Sequence, residues 1–176
     1  MKTNESIKRA IVRAGVAILE QGLTSGTGGN ISVLEPETGL VYITPTTMPY
    51  HEIAESDIPV FTLSGEPAEL PRKPSMELKM HLNIYAARPD VKAVVHTHSP
   101  ALIAMAELNE NPLGLPAAPA YPVGSEELAV GAARFLGSAP AVLLRGHGAV
   151  SVGASLEEAL GNALGFERQA AQNEVE

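Results

Sequence analysis

The spacing of apolar and polar residues along the chain predicts mixed helices and strands, with no internal repeat and no low-complexity linker. Ile7, Ile11, Ala14 and Ile18 recur at helical spacing, and Gly22 stands where a glycine beyond the last turn stops a helix. Two β-rich runs follow, Asn30-Ile31-Ser32-Val33-Leu34 and Gly39-Leu40-Val41-Tyr42-Ile43-Thr44, and Pro36-Glu37-Thr38-Gly39 between them reads as a hairpin turn. A third short run covers 59–63. Ser75 stands at the cap position of a predicted helix over 76–87, which Arg88-Pro89-Asp90 breaks, and a strand through Val94-Val95-His96 follows at once. The remaining pattern predicts a helix near 99–108, a Pro/Gly-rich connection over 112–124, a helix over 125–136 and a strand pair over 141–152. Ser155-Leu156-Glu157-Glu158 has the Ser-x-x-Glu form of a capping box and opens a last helix expected to run to the chain end. Hairpins with flanking helices imply a layered α/β domain, and 176 residues suit one domain, 1–176, whose core needs no cross-links.

Composition narrows the class of function. The chain has no cysteine, which suits a reducing compartment. Its first residues lead into an amphipathic segment, and nowhere do 18 apolar residues run without a charge, so a soluble cytoplasmic protein with no membrane partner is expected. A net charge of −8 and 4% aromatic residues argue against a nucleic-acid surface. An anionic substrate therefore has to be met by a local site.

Three histidines carry the candidate chemistry. Residues i and i+2 of a strand project from one face, so Val-Val-His96-Thr97-His98 presents two imidazoles side by side. His147, between Gly146 and Gly148 after the apolar run 141–144, is placed to supply a third ligand, the number a catalytic zinc site takes while keeping one position open. Singly each histidine reads equally well as a satisfied structural residue; together they point to a divalent ion. Glu77 falls in the first turn of the predicted 76–87 helix, where a carboxylate either complements the helix dipole and does nothing more or reaches the ion. Thr24-Ser25-Gly26-Thr27-Gly28-Gly29-Asn30 offers backbone N–H groups and hydroxyls to a phosphate, or is simply a turn that needs positive φ; its glycine spacing fits neither a dinucleotide fingerprint nor a P-loop. Thr44-Pro45-Thr46-Thr47 either touches an oxyanion or finishes its strand. His51 and His81 read as structural, the latter four residues after Glu77 on one helix face.

In order and spacing, Gly29-Asn30-Ile31-Ser32, Ile43-Thr44-Pro45-Thr46, Lys73-Pro74-Ser75-Met76-Glu77 with His81, Val95-His96-Thr97-His98 and Gly146-His147-Gly148 resemble the class II aldolase/adducin family over nearly the whole chain. The resemblance implies a three-layer α/β/α sandwich around a mixed, largely antiparallel sheet, and a homotetramer with active sites at subunit interfaces. It implies Zn2+ or another divalent ion on His96, His98 and His147, with Glu77 as the catalytic carboxylate that can also bind the metal. The phosphate pocket it implies maps to Gly29, Asn30, Thr46, Thr47, Ser75 and Met76. The implied activity is cleavage of a ketose 1-phosphate, L-fuculose-1-phosphate-like, to dihydroxyacetone phosphate and an aldehyde, and Glu at position 77 favours this aldolase branch. Epimerisation, decarboxylation or dehydration of a related sugar phosphate, and a non-catalytic adducin-like module, are the alternatives. The chain departs from the family pattern in three places: Thr46-Thr47 replaces Thr-Gly, Ser75-Met76 replaces two serines, and the 109–124 connection is short where a tyrosine is expected, leaving Tyr121 as the nearest candidate.

Overall fold

The structure, a computed structural model, describes residues 3–108 and 111–173. Eight strands form one sheet: β1 (Asn30–Glu35), β2 (Leu40–Ile43), β3 (Val60–Thr62), β4 (Pro67–Glu69), β5 (Ala93–Thr97), β6 (Ala117–Ala118), β7 (Ala141–Leu144) and β8 (Gly148–Gly153). Their order is β4-β3-β2-β1-β5-β8-β7-β6, antiparallel throughout except for the β6/β7 pair. Among the described residues five α-helices cover it: α1 (Glu5–Glu20), α2 (Leu78–Ala87), α3 (Pro100–Ala106), α4 (Glu126–Leu136) and α5 (Leu156–Asn173).

Period-2 alternation along the central strands divides the core between two faces. Val94, Val142, Val150 and Val152 pack against Met80, Ile84 and Tyr85 of α2 and Leu128 and Ala132 of α4. Ala93 and Val95 point the other way, to Ile11 and Ile18 of α1 and Ala159 and Ala163 of α5, while Leu143 and Ala149 meet α3. The result is the expected three-layer sandwich. Burying each large aliphatic side chain in these layers contributes on the order of 1.5–3 kcal/mol before the cost of ordering it.

The helix ends follow local rules. Asn4 caps α1 by accepting from the Ser6 N–H, and Gly22 beyond its end takes φ +75°. Ser125 caps α4 by accepting from the Leu128 N–H at 3.0 Å. At α5, Ser155 Oγ accepts from the Glu158 N–H, and the Glu158 carboxylate reaches back one residue beyond the usual box, to the Ala154 N–H.

Two expectations are corrected. The helix read from Met76 begins at Leu78, because Met76 and Glu77 form a turn in which Ser75 Oγ accepts the Glu77 N–H at 3.2 Å. The helix read over 99–108 is the shorter α3. Strands β4 and β6 were not expected; at three and two residues they carry no readable alternation. Part of the short 109–124 connection, residues 109–110, and the expected end of the last helix, 174–176, lie outside the described residues.

Candidate active site

Sheet register sets the first part of the site. His96 lies on β5 facing α2, on the same side as Val94, and its Cα partners are Asn30 on β1 and Val150 on β8. Its Nδ1 lies 2.9 Å from the Ala149 carbonyl oxygen, so Nδ1 donates there and Nε2 is the nitrogen turned toward the other rings. His98 sits one residue past the end of β5, its ring lying on Gly28, where a Cβ would come within 2.7 Å of Nδ1. His147 occupies the turn between β7 and β8, closed by its N–H donating to Leu144 O at 3.0 Å and by the Gly146 N–H donating to Glu107 at 2.9 Å. Gly148 follows because the turn returns against β5, where any side chain would strike the Thr97 carbonyl.

These three imidazoles, from segments 51 residues apart in sequence, converge. The Nε2 atoms of His98 and His147 lie 3.1 and 3.2 Å from that of His96. Four ligands at zinc–nitrogen distances of about 2.0–2.1 Å in a tetrahedron are separated by about 3.3 Å, so the spacing fits a shared ion. One His96 lone pair cannot satisfy two neighbouring rings, whereas a cation satisfies all three. The described histidine nitrogens that group in this way are His96, His98 and His147.

Glu77, at the N-terminal end of α2, closes the site. Oε2 is 3.2 Å from His96 Nε2, and Oε1 is 3.3 Å from His147 Nε2. Burial opposes its ionisation, but the neighbouring His96 and His147 and the Asn30 amide together hold the carboxyl well below the usual carboxylate range. Burial disfavours charge on His96 too, yet the Glu77 carboxylate raises its pKa above the ordinary value. His98 and His147 are pushed down to about 4, chiefly by burial and then by the charge on His96, which leaves their lone pairs available at neutral pH.

Beside the histidines opens a cavity with no lysine or arginine among its lining residues. Two loops frame it, zipped by Thr46 N–H donating to Lys73 O at 3.0 Å and Ser75 N–H donating to Thr44 O at 3.1 Å. Gly28, Gly29, Asn30, Thr46, Ser75 and Met76 line it, next to Glu77 and His98. Thr47, read as a pocket residue, is exposed and is not part of the lining; its backbone takes φ 59°, the left-handed region that suits glycine. Met76, 62% exposed, lines the cavity together with Val123, which the sequence did not mark. Tyr121 turns away from the cavity and packs over Gly131 of α4.

His81, read as a structural residue on the helix face of Glu77, finds its side-chain partners on β1. It is fully buried and bridges β1, with Nδ1 2.6 Å from Ser32 Oγ and Nε2 against Asn30 Oδ1. The signal was present: Asn30 and Ser32 share a strand face, and Glu77, His81 and Tyr85 share a helix stripe.

The sequence pattern of the Class II Aldolase and Adducin N-terminal domain family matches residues 9–173. The 5-deoxy-D-ribulose 1-phosphate aldolase of Bacillus thuringiensis serovar kurstaki is 39% identical over 158 residues, 82% of this chain and 73% of that protein. The L-fuculose phosphate aldolase of Escherichia coli K12 is 34% identical over 166 residues, 88% of this chain and 76% of its own. Among solved structures, an L-fuculose 1-phosphate aldolase superposes with a TM-score of 0.90 at 34% identity, covering 97% of this chain and 85% of that one. With the fold, the imidazole cluster and these relatives in agreement, the chain belongs to the class II aldolase and adducin N-terminal domain family, among its aldolase members.

Proposed function

We propose that the protein is a divalent-metal aldolase that cleaves a ketose 1-phosphate to dihydroxyacetone phosphate and an aldehyde. The observation that carries this reading is the convergence of His96, His98 and His147 with the Glu77 carboxylate, 3.2–3.3 Å from two of the rings, at the edge of a cavity lined by neutral donors. A divalent ion, zinc by ligand chemistry, would be held by the three imidazoles, with Glu77 able to join them, and supplies Lewis acidity toward the substrate oxygens.

The chain's own residues do the rest. Glu77 exchanges the proton at the nucleophilic carbon, giving it as the carbon–carbon bond breaks and taking it in the reverse direction. The Gly29 backbone, Asn30, Thr46 and Ser75 offer donors to the phosphate without a cation, and Met76 stands at the rim. Anchoring the phosphate fixes the distance from the reacting carbons to Glu77. A cytoplasmic homotetramer with sites at subunit interfaces belongs to the same reading and rests on the family resemblance; light scattering checks the assembly. No described helix is long and apolar enough to cross a membrane.

The test is product analysis on metal-loaded protein given L-fuculose 1-phosphate and 5-deoxyribulose 1-phosphate, sugars of the kind named in its relatives. Release of dihydroxyacetone phosphate from either supports the reading. Epimer formation, loss of water or loss of carbon dioxide without cleavage, across a wider panel of ketose and 3-oxo acid phosphates, contradicts it.

A further inference from the structure

Behind the site a line of polar groups runs inward from Glu77 and Asn30 to His81, Ser32 and Tyr85, three residues that the proposed chemistry does not use. Helix α2 carries His81 and Tyr85 at four-residue steps from Glu77, and β1 carries Asn30 and Ser32 on the face turned toward them. The two stripes interleave. Asn30 Nδ2 donates to Glu77 Oε2 at 2.7 Å, Asn30 Oδ1 meets His81 Nε2, His81 Nδ1 lies 2.6 Å from Ser32 Oγ, and Ser32 Oγ lies 2.7 Å from the Tyr85 hydroxyl. All five residues are buried, with His81 and Ser32 at 0% exposure. Five buried polar side chains in a row persist only if every group is paired.

That condition fixes every hydrogen in the line. An ionised carboxylate only accepts, so Asn30 turns its NH2 toward Glu77 and its carbonyl oxygen toward His81. His81 Nε2 must then carry a proton. Nδ1 must then accept, because a second ring proton would turn the Ser32 hydroxyl toward Tyr85 and leave the Tyr85 proton without a partner in the line. Ser32 therefore donates to Nδ1, and its oxygen takes the Tyr85 proton. No alternative orientation of a single member leaves all the others satisfied.

The consequence falls on Glu77. Oε2 is held by the Asn30 amide, while Oε1 is buried, makes no hydrogen bond and points toward His147. We infer that His81 is a positioning residue for catalysis: acting through Asn30, it anchors Glu77 by Oε2 and leaves Oε1 as the oxygen that exchanges the substrate proton. The inference rests on the reading of Glu77 as the acid–base group. In the half-reaction with dihydroxyacetone phosphate, Oε1 takes a proton from the hydroxymethyl carbon. The carbon–hydrogen pair becomes the carbon–carbon double bond of the enediolate, the carbonyl pair moves onto oxygen, and return of a proton from Glu77 restores the ketone.

His81→Leu strips Asn30 Oδ1 of its donor and frees the amide to rotate. His81→Gln keeps an N–H near the position of Nε2 and an oxygen that accepts from Ser32. Proton exchange into dihydroxyacetone phosphate in deuterium oxide, followed by NMR on metal-loaded protein, reads the Glu77 step without any aldehyde. His81→Leu is expected to slow exchange at saturating substrate by about 10–100-fold, the scale of losing a residue that orients a ligand, with unchanged metal content. His81→Gln is expected to recover most of the rate. Nitrogen-15 NMR of the metal-free wild-type protein is expected to show His81 neutral and protonated at Nε2 between pH 5 and 8.

Glu77→Gln, measured alongside, separates the two ideas. Normal exchange in that variant removes Glu77 from the chemistry and the anchoring role with it. Exchange lost in Glu77→Gln but at the wild-type rate in His81→Leu overturns the positioning role alone. So does equal slowing in His81→Gln and His81→Leu, a fall in metal content that tracks the rate, or an Nδ1-protonated or cationic His81. If His81→Leu does not fold, the wild-type tautomer and the His81→Gln rate decide the matter.

Discussion

The imidazole cluster and the adjoining cavity share Glu77 as a wall, yet they are built in different ways. His96 is fixed by strand pairing on both sides and by a hydrogen bond to Ala149, and it is fully buried. The cavity is made of loop segments: the Gly28-Gly29 turn, the Thr44–Thr47 and Lys73–Met76 strips, and an exposed methionine. A ligand on a strand paired on both sides, as His96 is, cannot shift by one residue without turning to the opposite face. Loops carry no such register and tolerate substitution. The histidine cluster is therefore anchored through His96 to the inflexible part of the molecule, and the proposed phosphate cavity lies on the adaptable part.

The widest separation between the two regions is expected from Glu77→Gln, which keeps the neutral imidazoles and most of the metal but lowers turnover by at least about a hundredfold. Steady-state kinetics with parallel metal analysis checks this, and turnover within a few-fold of wild type would remove the carboxylate from the mechanism. Acid is the next lever, acting on the rigid side. His81 titrates near 3 in the folded protein and near 6.5 in the unfolded chain. Between those values only the unfolded chain takes up the proton, so stability is complete above 6.5 and lost as pH falls, at about 1.4 kcal/mol per pH unit. Metal-free protein should lose about 2 kcal/mol from this group between pH 6.5 and 5. Denaturant unfolding should show a smaller pH slope in His81→Gln.

On the adaptable side the effects are smaller. Thr46→Val removes a hydroxyl from the cavity and should raise KM about tenfold, the lower end for a hydrogen bond to a charged group, with kcat and metal content unchanged. A fall in kcat at constant KM would place Thr46 in the chemistry instead. Thr47 holds a left-handed φ of 59° where the family pattern has glycine. Thr47→Gly should raise stability by up to about 1 kcal/mol, read as a shift in the denaturant midpoint, while KM stays the same.

The same contrast explains what the sequence revealed. His96 and His98 were legible because strand periodicity is local and puts i and i+2 on one face, and the glycines beside His147 marked a turn where backbone passes close to backbone. Fold class followed from the alternation of hairpins and amphipathic helices. The position of Glu77 was legible but its local structure was not: Ser75 looks like a helix cap, and only the Lys73–Ser75 strip pairing with Thr44–Thr46 makes it close a turn one step earlier. The role of His81 stayed hidden because its partners come from β1, some fifty residues away, and only the packing of α2 on the sheet brings them together. Thr47, read as a pocket residue, and Tyr121, only the nearest candidate for the family tyrosine, both lie outside the cavity lining for a related reason, since loop residues near a site in sequence have no periodicity to say which way they face.

Everything turns on whether one cation is shared by three rings. Titration of metal-free protein with zinc, followed by calorimetry and by elemental analysis after desalting, should show one equivalent bound per chain in the wild type and none retained in the His96→Ala/His98→Ala double variant that remains folded by circular dichroism. Equal zinc retention by the two proteins, or none by either, would contradict the account.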